Sequence, residues 1–146
     1  MRLSGTFKGK LVNTETGEII CWEKHNKIVQ AGFDWVANVM SNQTNRANPI
    51  THIAFGTGSD TTTVGMTALQ NEVARYPVTA TWDAQTRELV FVGRIPQNAG
   101  VNTSICEVGL FNANTGGSLF DRATFLPKGV EDSTYLEYSF VISISE

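Results

Sequence analysis

Charge is what this sequence has little of. Of its 146 residues 17% are charged, against roughly a quarter in an average soluble domain, and no segment gathers its Lys and Arg into the basic stripe that nucleic-acid binding requires. No direct DNA or RNA partner is expected. Long apolar runs are missing as well: nothing approaches the roughly 18 residues of a membrane span, and the N-terminal MRLSGTFKGKLVN lacks the apolar region of a secretory signal. These gaps predict a chain made and folded in a cytoplasm, with no membrane partner. Cysteine is scarce too. Cys21 and Cys106 stand in separate apolar segments without Cys-x-x-Cys or a His at ligand spacing, which argues against a zinc site or a disulfide framework and predicts two small buried hydrophobes.

Catalytic signatures are equally thin. The stretch FGTGSDTTTVG, 55–65, follows an apolar run as a phosphate loop does, but the Lys-Ser/Thr that neutralises phosphate and binds magnesium does not follow Gly58. In a dinucleotide fingerprint the third glycine would fall at Thr61, and more Thr follows where a helix should start. Ser59 lies outside any Gly-x-Ser-x-Gly, and His25 and His52 have no partner at ligand spacing. The 14 carboxylates are scattered, so no acid/base pair can be assigned. The expectation is a non-enzymatic protein with no cofactor and no metal.

What the chain does have is alternation. Leu3–Val12 and Glu18–Glu23 flank the turn residues 13–17 as a hairpin. In 28–41 the apolar residues Val29, Phe33, Val36, Ala37 and Met40 fall on one helical face, and the polar run 42–48 ends at Pro49. From Ile50 the period becomes two: strands are predicted at Ile50–Phe55, Val73–Trp82 with Pro77 at an edge or bulge, Glu88–Ile95, Thr103–Phe111, Ser118–Phe125 and Thr134–Ser145. Strands at such spacing predict one mainly β domain over 1–146, a sandwich or barrel-like pair of antiparallel sheets with one helix near residues 28–41 packed on it.

Three loops, Asn42–Pro49, Gly56–Thr67 and Leu126–Ser133, are the candidates for contact with partners. In the second, Gly56 and Gly58 are read as positive-φ residues past a strand end, and Thr57, Gly58, Ser59, Asp60, Thr61, Thr62, Thr63 and Val64 as an exposed assembly loop. Thr103–Phe111 is apolar on both faces yet contains Glu107, placed beside Ile105 and Phe111 by simple alternation. A buried carboxylate needs a partner. Arg75, Arg94 and Arg122 are the choices, Arg75 the favoured one; the alternative is a Glu107 that reaches solvent at an edge. An Arg75–Glu107 pair would fix how the loop returns to the sheet.

Five segments taken together, HNKIVQAG at 25–32, ITHIAFGTG at 50–58, LQNEVAR at 69–75, EVGLFN at 107–112 and LFDR at 119–122, resemble in order and spacing small tailed-bacteriophage virion proteins. The likeness covers about Asn26 to Ile144 and is greatest to the N-terminal attachment domain of tail-collar and tail-fibre proteins. The resemblance implies a structural part of the virion that forms homo-oligomers and docks on other phage virion proteins. The chain stops at Glu146, after the final strand, so attachment is expected ahead of receptor binding. Two placements follow: a tail-associated adaptor or collar piece using the three loops, which is favoured, or a capsid decoration protein using MRLSGTFKGK as an arm. A remoter reading, a carbohydrate-binding sandwich, would require Trp22, Trp35 and Tyr135 to stack on sugars.

Overall fold

The computed structural model describes residues 1–41 and 44–146. Its elements run β1 (Arg2–Asn13), β2 (Ile19–His25), β3 (Lys27–Ile28), α1 (Gln30–Ser41), β4 (His52–Gly56), β5 (Glu72–Pro77), β6 (Thr79–Asp83), β7 (Glu88–Ile95), β8 (Thr103–Phe111), β9 (Leu119–Val130) and β10 (Thr134–Ser145). They form two five-stranded sheets, ordered β2-β1-β10-β7-β6 and β3-β9-β8-β4-β5. Every ladder is antiparallel. The protein is therefore mainly β with a single helix among the described residues, an open sandwich and not a closed barrel.

The period-two pattern explains why the sheets meet. Along β1 the residues Phe7, Gly9 and Leu11 are buried while Lys8 is exposed, and β10 repeats the alternation with Leu136, Tyr138 and Phe140 inward. These pack against Ile53, Phe55, Ile105, Val108 and Leu110 of the second sheet. One inward row spans the first sheet as Trp22, Gly9, Tyr138 and Gly93, each opposite the next in register. Bulky and absent side chains alternate there for a reason. Across Gly9, Trp22 Nε1 donates to Tyr138 Oη at 2.8 Å and the two rings meet edge-on at 5.6 Å. A Cβ on Gly9 would lie 2.3 Å from the Trp22 ring.

The structure departs from the sequence expectations in four places. Val73–Trp82 is two strands, because Pro77 has no N–H for the ladder and ends β5; Val78 then donates to Thr51 O at 2.9 Å, and the chain crosses to the first sheet as β6. Beyond Phe125 the strand continues through most of the segment expected to be a loop, Leu126–Ser133, since β8 stays paired with β9 as far as Val130. The 3.6-residue pattern places the helix but not its buried face. Phe33 and Met40 are exposed, whereas Gly32 is buried and Trp35 packs edge-on against Phe120 at 5.7 Å. Gly32 decides this, because a Cβ there would sit 2.3 Å from the Phe120 carbonyl oxygen, so only that side of the helix can approach β9 so closely. Of the cysteines, Cys106 is buried as expected and Cys21 is exposed on β2.

The polar segment 42–49 is partly outside the described residues, since Asn42 and Gln43 are not among them. Its far end is tied to the helix, with Trp35 Nε1 donating to Asn48 O at 2.8 Å.

The alternation across the first sheet makes Gly9→Ala costly. The added methyl must displace the indole from Tyr138, and overpacking of this kind costs about 1–3 kcal/mol. Urea denaturation followed by Trp fluorescence measures it; an unchanged midpoint would show that the row has slack.

Candidate functional site: a loop pinned by a buried ion pair

A sheet face that is not turned to the sandwich interior normally faces water. On the second sheet that face is apolar: Ala54, Phe111 and Leu119 are buried there with Val29 and Leu69, and Met66 packs on them. The segment 57–71 supplies the cover. Without strand or helix of its own, it has few internal partners for its backbone N–H groups, and each one buried without a partner costs free energy.

Glu107 provides those partners. A bulge at Cys106 separates Ile105 from Glu107 in the register, so Ile105 joins Val108 and Leu110 in the interior while Glu107 turns to the outer face. This corrects the simple alternation that put Glu107 beside Ile105. Its carboxylate is wholly buried and accepts three backbone N–H bonds from the loop, from Gly58 at 3.1 Å and Asn71 at 2.7 Å on Oε1 and from Gln70 at 3.0 Å on Oε2. Gly56 and Gly58 are glycines to make room, since a Cβ on either would fall within 2.8 Å of Glu107 Oε1. Neither has a positive φ.

The ionic partner is Arg122, not Arg75. β9 places Arg122 opposite Gly109, on the same outer face and also wholly buried. Its Nη2 stands 2.7 Å and its Nε 2.9 Å from Glu107 Oε2, and its Nη1 donates to Asp60 O at 2.8 Å and Thr62 Oγ1 at 3.0 Å. Arg75 is employed elsewhere. It pairs with Glu72 at 2.6 Å, donates to the carbonyls of Ala113 and Gly116, and lies 3.9 Å over the Phe111 ring, which fastens the 112–117 turn. Arg94 pairs across strands with Glu137 on the exposed face of the first sheet.

The loop read as an exposed excursion is thus half structural. Gly58 and Thr62 are buried and Thr57 is partly so, while Ser59, Asp60, Thr61, Thr63 and Val64 face outward. Across the loop the Gln70 amide accepts the Asp60 N–H on Oε1 at 3.1 Å and donates from Nε2 to Asp60 Oδ2 at 2.8 Å, and Val64 O accepts the first N–H of α1, that of Gln30, at 2.7 Å. A fixed polar surface results, and it presents no cluster of metal-ligating side chains among the described residues.

Two carboxylates in this region titrate in opposite senses. Burial works to raise the Glu107 pKa, but the Asn71 and Gln70 N–H groups and then the Arg122 guanidinium outweigh it and hold the carboxyl below its ordinary range. Asp121, the residue beside Arg122, is wholly buried, with neither carboxylate oxygen bonded in the described structure. Burial raises its pKa well above the ordinary 3.8. Sequence reading quoted the segments of Asp121, Gln70 and Asn71 without assigning these residues a role, and missed the anchoring role of Thr62. The one available signal was two adjacent charges inside the apolar run LFDRA.

No protein-family model matches the chain, and neither does any curated protein or solved structure. The site therefore rests on its own geometry. Segments far apart in the chain converge on this one network: Gly58 from 50–58, Gln70 with Asn71 from 69–75, Glu107 from 107–112 and Arg122 from 119–122, while Val29 from 25–32 packs beneath.

Breaking the pair leaves an uncompensated buried charge, so Glu107→Gln and Arg122→Met should each cost about 3–5 kcal/mol. The double variant should cost clearly less than their sum, and a urea double-mutant cycle reads the coupling. Simple additivity would show that the two charges do not depend on each other. The pH dependence divides by residue. The stability from Glu107 is complete above the ordinary carboxylate range and is lost as pH falls through its lowered pKa; that from Asp121 is complete below its ordinary pKa of 3.8 and is lost as pH rises toward its raised one. Asp121→Asn should therefore raise Tm at pH 7, with the gain fading as pH falls below about 4. A gain that is equal at pH 3 and pH 7 would refute the titration of Asp121.

Proposed function

We propose that this chain is a non-enzymatic structural part of a tailed-bacteriophage virion, a tail-associated adaptor, collar or fibre-attachment component that self-associates and docks on other virion proteins. The observation that carries the reading is the pinned loop. Assembly from many copies gains from surfaces already ordered before contact, because each flexible segment that must be immobilised subtracts from affinity. The Glu107–Arg122 pair fixes the backbone at Gly58 and Asp60 and again at Gln70 and Asn71, leaving Thr61 and Thr63 outward on a held frame. Modest contacts repeated over many copies then add up to durable attachment.

Two further observations bear on the alternatives. The capsid-decoration reading relied on the N-terminal segment as a free arm, but residues 2–13 form β1, paired along its length with β10 on one side and with β2 on the other. The sugar-binding reading required open indole faces, but Trp22 packs against Tyr138 and Phe125 while Trp35 packs on Phe120. Both features favour the tail placement.

Removing the whole of Thr57–Val64 would strip buried partners from Glu107 and Arg122, so the informative change is at exposed positions. Thr61→Lys with Thr63→Lys should leave stability within about 0.5 kcal/mol and lower incorporation into purified virions by about tenfold, the loss of roughly 1.4 kcal/mol of docking energy. Quantifying this chain by mass spectrometry in virions carrying the variant checks it. Normal incorporation would reduce the loop to a cover for the sheet.

A further inference from the structure

The edges of the two sheets are not alike. β3 is only two residues long, β5 ends in Pro77, and β9, beyond its short pairing with β3, carries Pro127. Short strands and prolines are the usual guards against edge-to-edge pairing. β2 has neither. It runs seven residues with no bulge against β1, and no strand lies on its outer side among the described residues. Ile19 and Ile20 are exposed on it, 56% and 40%, together with Cys21.

The ladder shows which backbone groups are free. Asn13 N–H donates to Glu18 O at one end of the hairpin and Asn26 N–H to Gly5 O at the other. Hydrogen-bonded pairs alternate in an antiparallel ladder, so Ile20, Trp22 and Lys24 face β1. The N–H and C=O groups of Ile19, Cys21, Glu23 and His25 point to the open edge.

We infer that β2 pairs with β2 of a second copy of this chain, antiparallel about a two-fold axis at Cys21, to make one continuous sheet across the dimer. Only odd-numbered residues can form the new hydrogen bonds, so few registers are open. Centring on Cys21 sets Glu18 opposite Lys24 of the other copy, twice by symmetry, in the pair type whose side chains lie closest. Shifting the centre by one residue either way sets Lys24 against Ile20 or Thr16 and Glu18 against Trp22 or Asn26, so that no Lys stands directly opposite a Glu. Charge complementarity thus selects both the occupant and the register. In it the two Cys21 residues form a hydrogen-bonded pair about 5.5 Å apart at Cα, inside the range a disulfide spans. Isologous pairing closes on itself, as a two-fold contact must. The inference deepens the assembly reading and rests on its premise that copies of the chain meet.

Sedimentation of the purified full chain over a range of concentration tests it. A monomer–dimer equilibrium is expected, about tenfold weaker in Glu18→Lys and in Lys24→Glu, where attraction becomes repulsion, and restored in the double exchange. Diamide, which takes up the two thiol hydrogens with two electrons as it becomes a hydrazine, should link wild type covalently and leave Cys21→Ser unlinked. Cys106 is buried and does not compete. Wild type that stays monomeric throughout, a dimer indifferent to both charge reversals, or one lost instead in Trp82→Glu on the opposite edge strand β6, would overturn the pairing. A monomeric chain that still enters virions would overturn the pairing and leave the assembly reading standing, and a dimer that is never incorporated would do the reverse.

Discussion

The outer face of the second sheet depends on one interaction, the pair between Glu107 and Arg122. A sheet covered by a helix gets a cover whose backbone bonds are already made; a sheet covered by an irregular segment does not, and every N–H of that segment must find an acceptor elsewhere. Glu107 accepts three of them, and Arg122 donates to an Asp60 carbonyl and a Thr62 hydroxyl of the same segment. Burying the two ions costs several kcal/mol each. Hydrogen bonds to a charged group contribute roughly 1.5–3 kcal/mol apiece, so the five contacts to the loop, added to the attraction between the charges, are of the size required to offset that cost. The loop and the ions are therefore stable only together.

The same accounting explains how far the sequence could be read. β7, β8 and β10 were legible to the residue because alternation is unbroken at their ends and turn residues flank them. The choice among Arg75, Arg94 and Arg122 was not legible, because it depends on register. Arg122 reaches Glu107 only since β9 sets it beside Gly109 and the bulge at Cys106 turns the carboxylate outward. Neither the bulge nor the pairing leaves a mark in local composition. Arg75 lies on β5, separated from β8 by β4, and is taken up by Glu72 and two turn carbonyls. The helix face was misread for a related reason. Periodicity counts Phe33 and Met40 as apolar, but what decides the contact is the close approach that a missing side chain at Gly32 allows.

Residues of the segments 50–58, 69–75, 107–112 and 119–122 build this frame. Gly56 and Gly58 give Glu107 room, Gln70 and Asn71 supply N–H groups, and Arg122 closes the network. Such residues are constrained together because changing any one strands the others. Ser59, Thr61 and Thr63, which do face outward, are free of that constraint. The outward side chains can therefore be exchanged without disturbing the pins.

The two surfaces singled out here differ in how they can bind. The pinned loop offers side chains on a fixed backbone, so contacts made through it would set specificity and would tolerate change at exposed positions. The β2 edge offers backbone groups, which are the same in any sequence, so what limits its choice of partner is the order of charges along the strand. Glu18 and Lys24 lie at equal distances from Cys21, on the side of the strand shared with Trp22. A segment with opposite charges placed symmetrically about Cys21 matches its own reverse better than it matches an arbitrary strand, which would direct an otherwise indiscriminate edge toward another copy of itself.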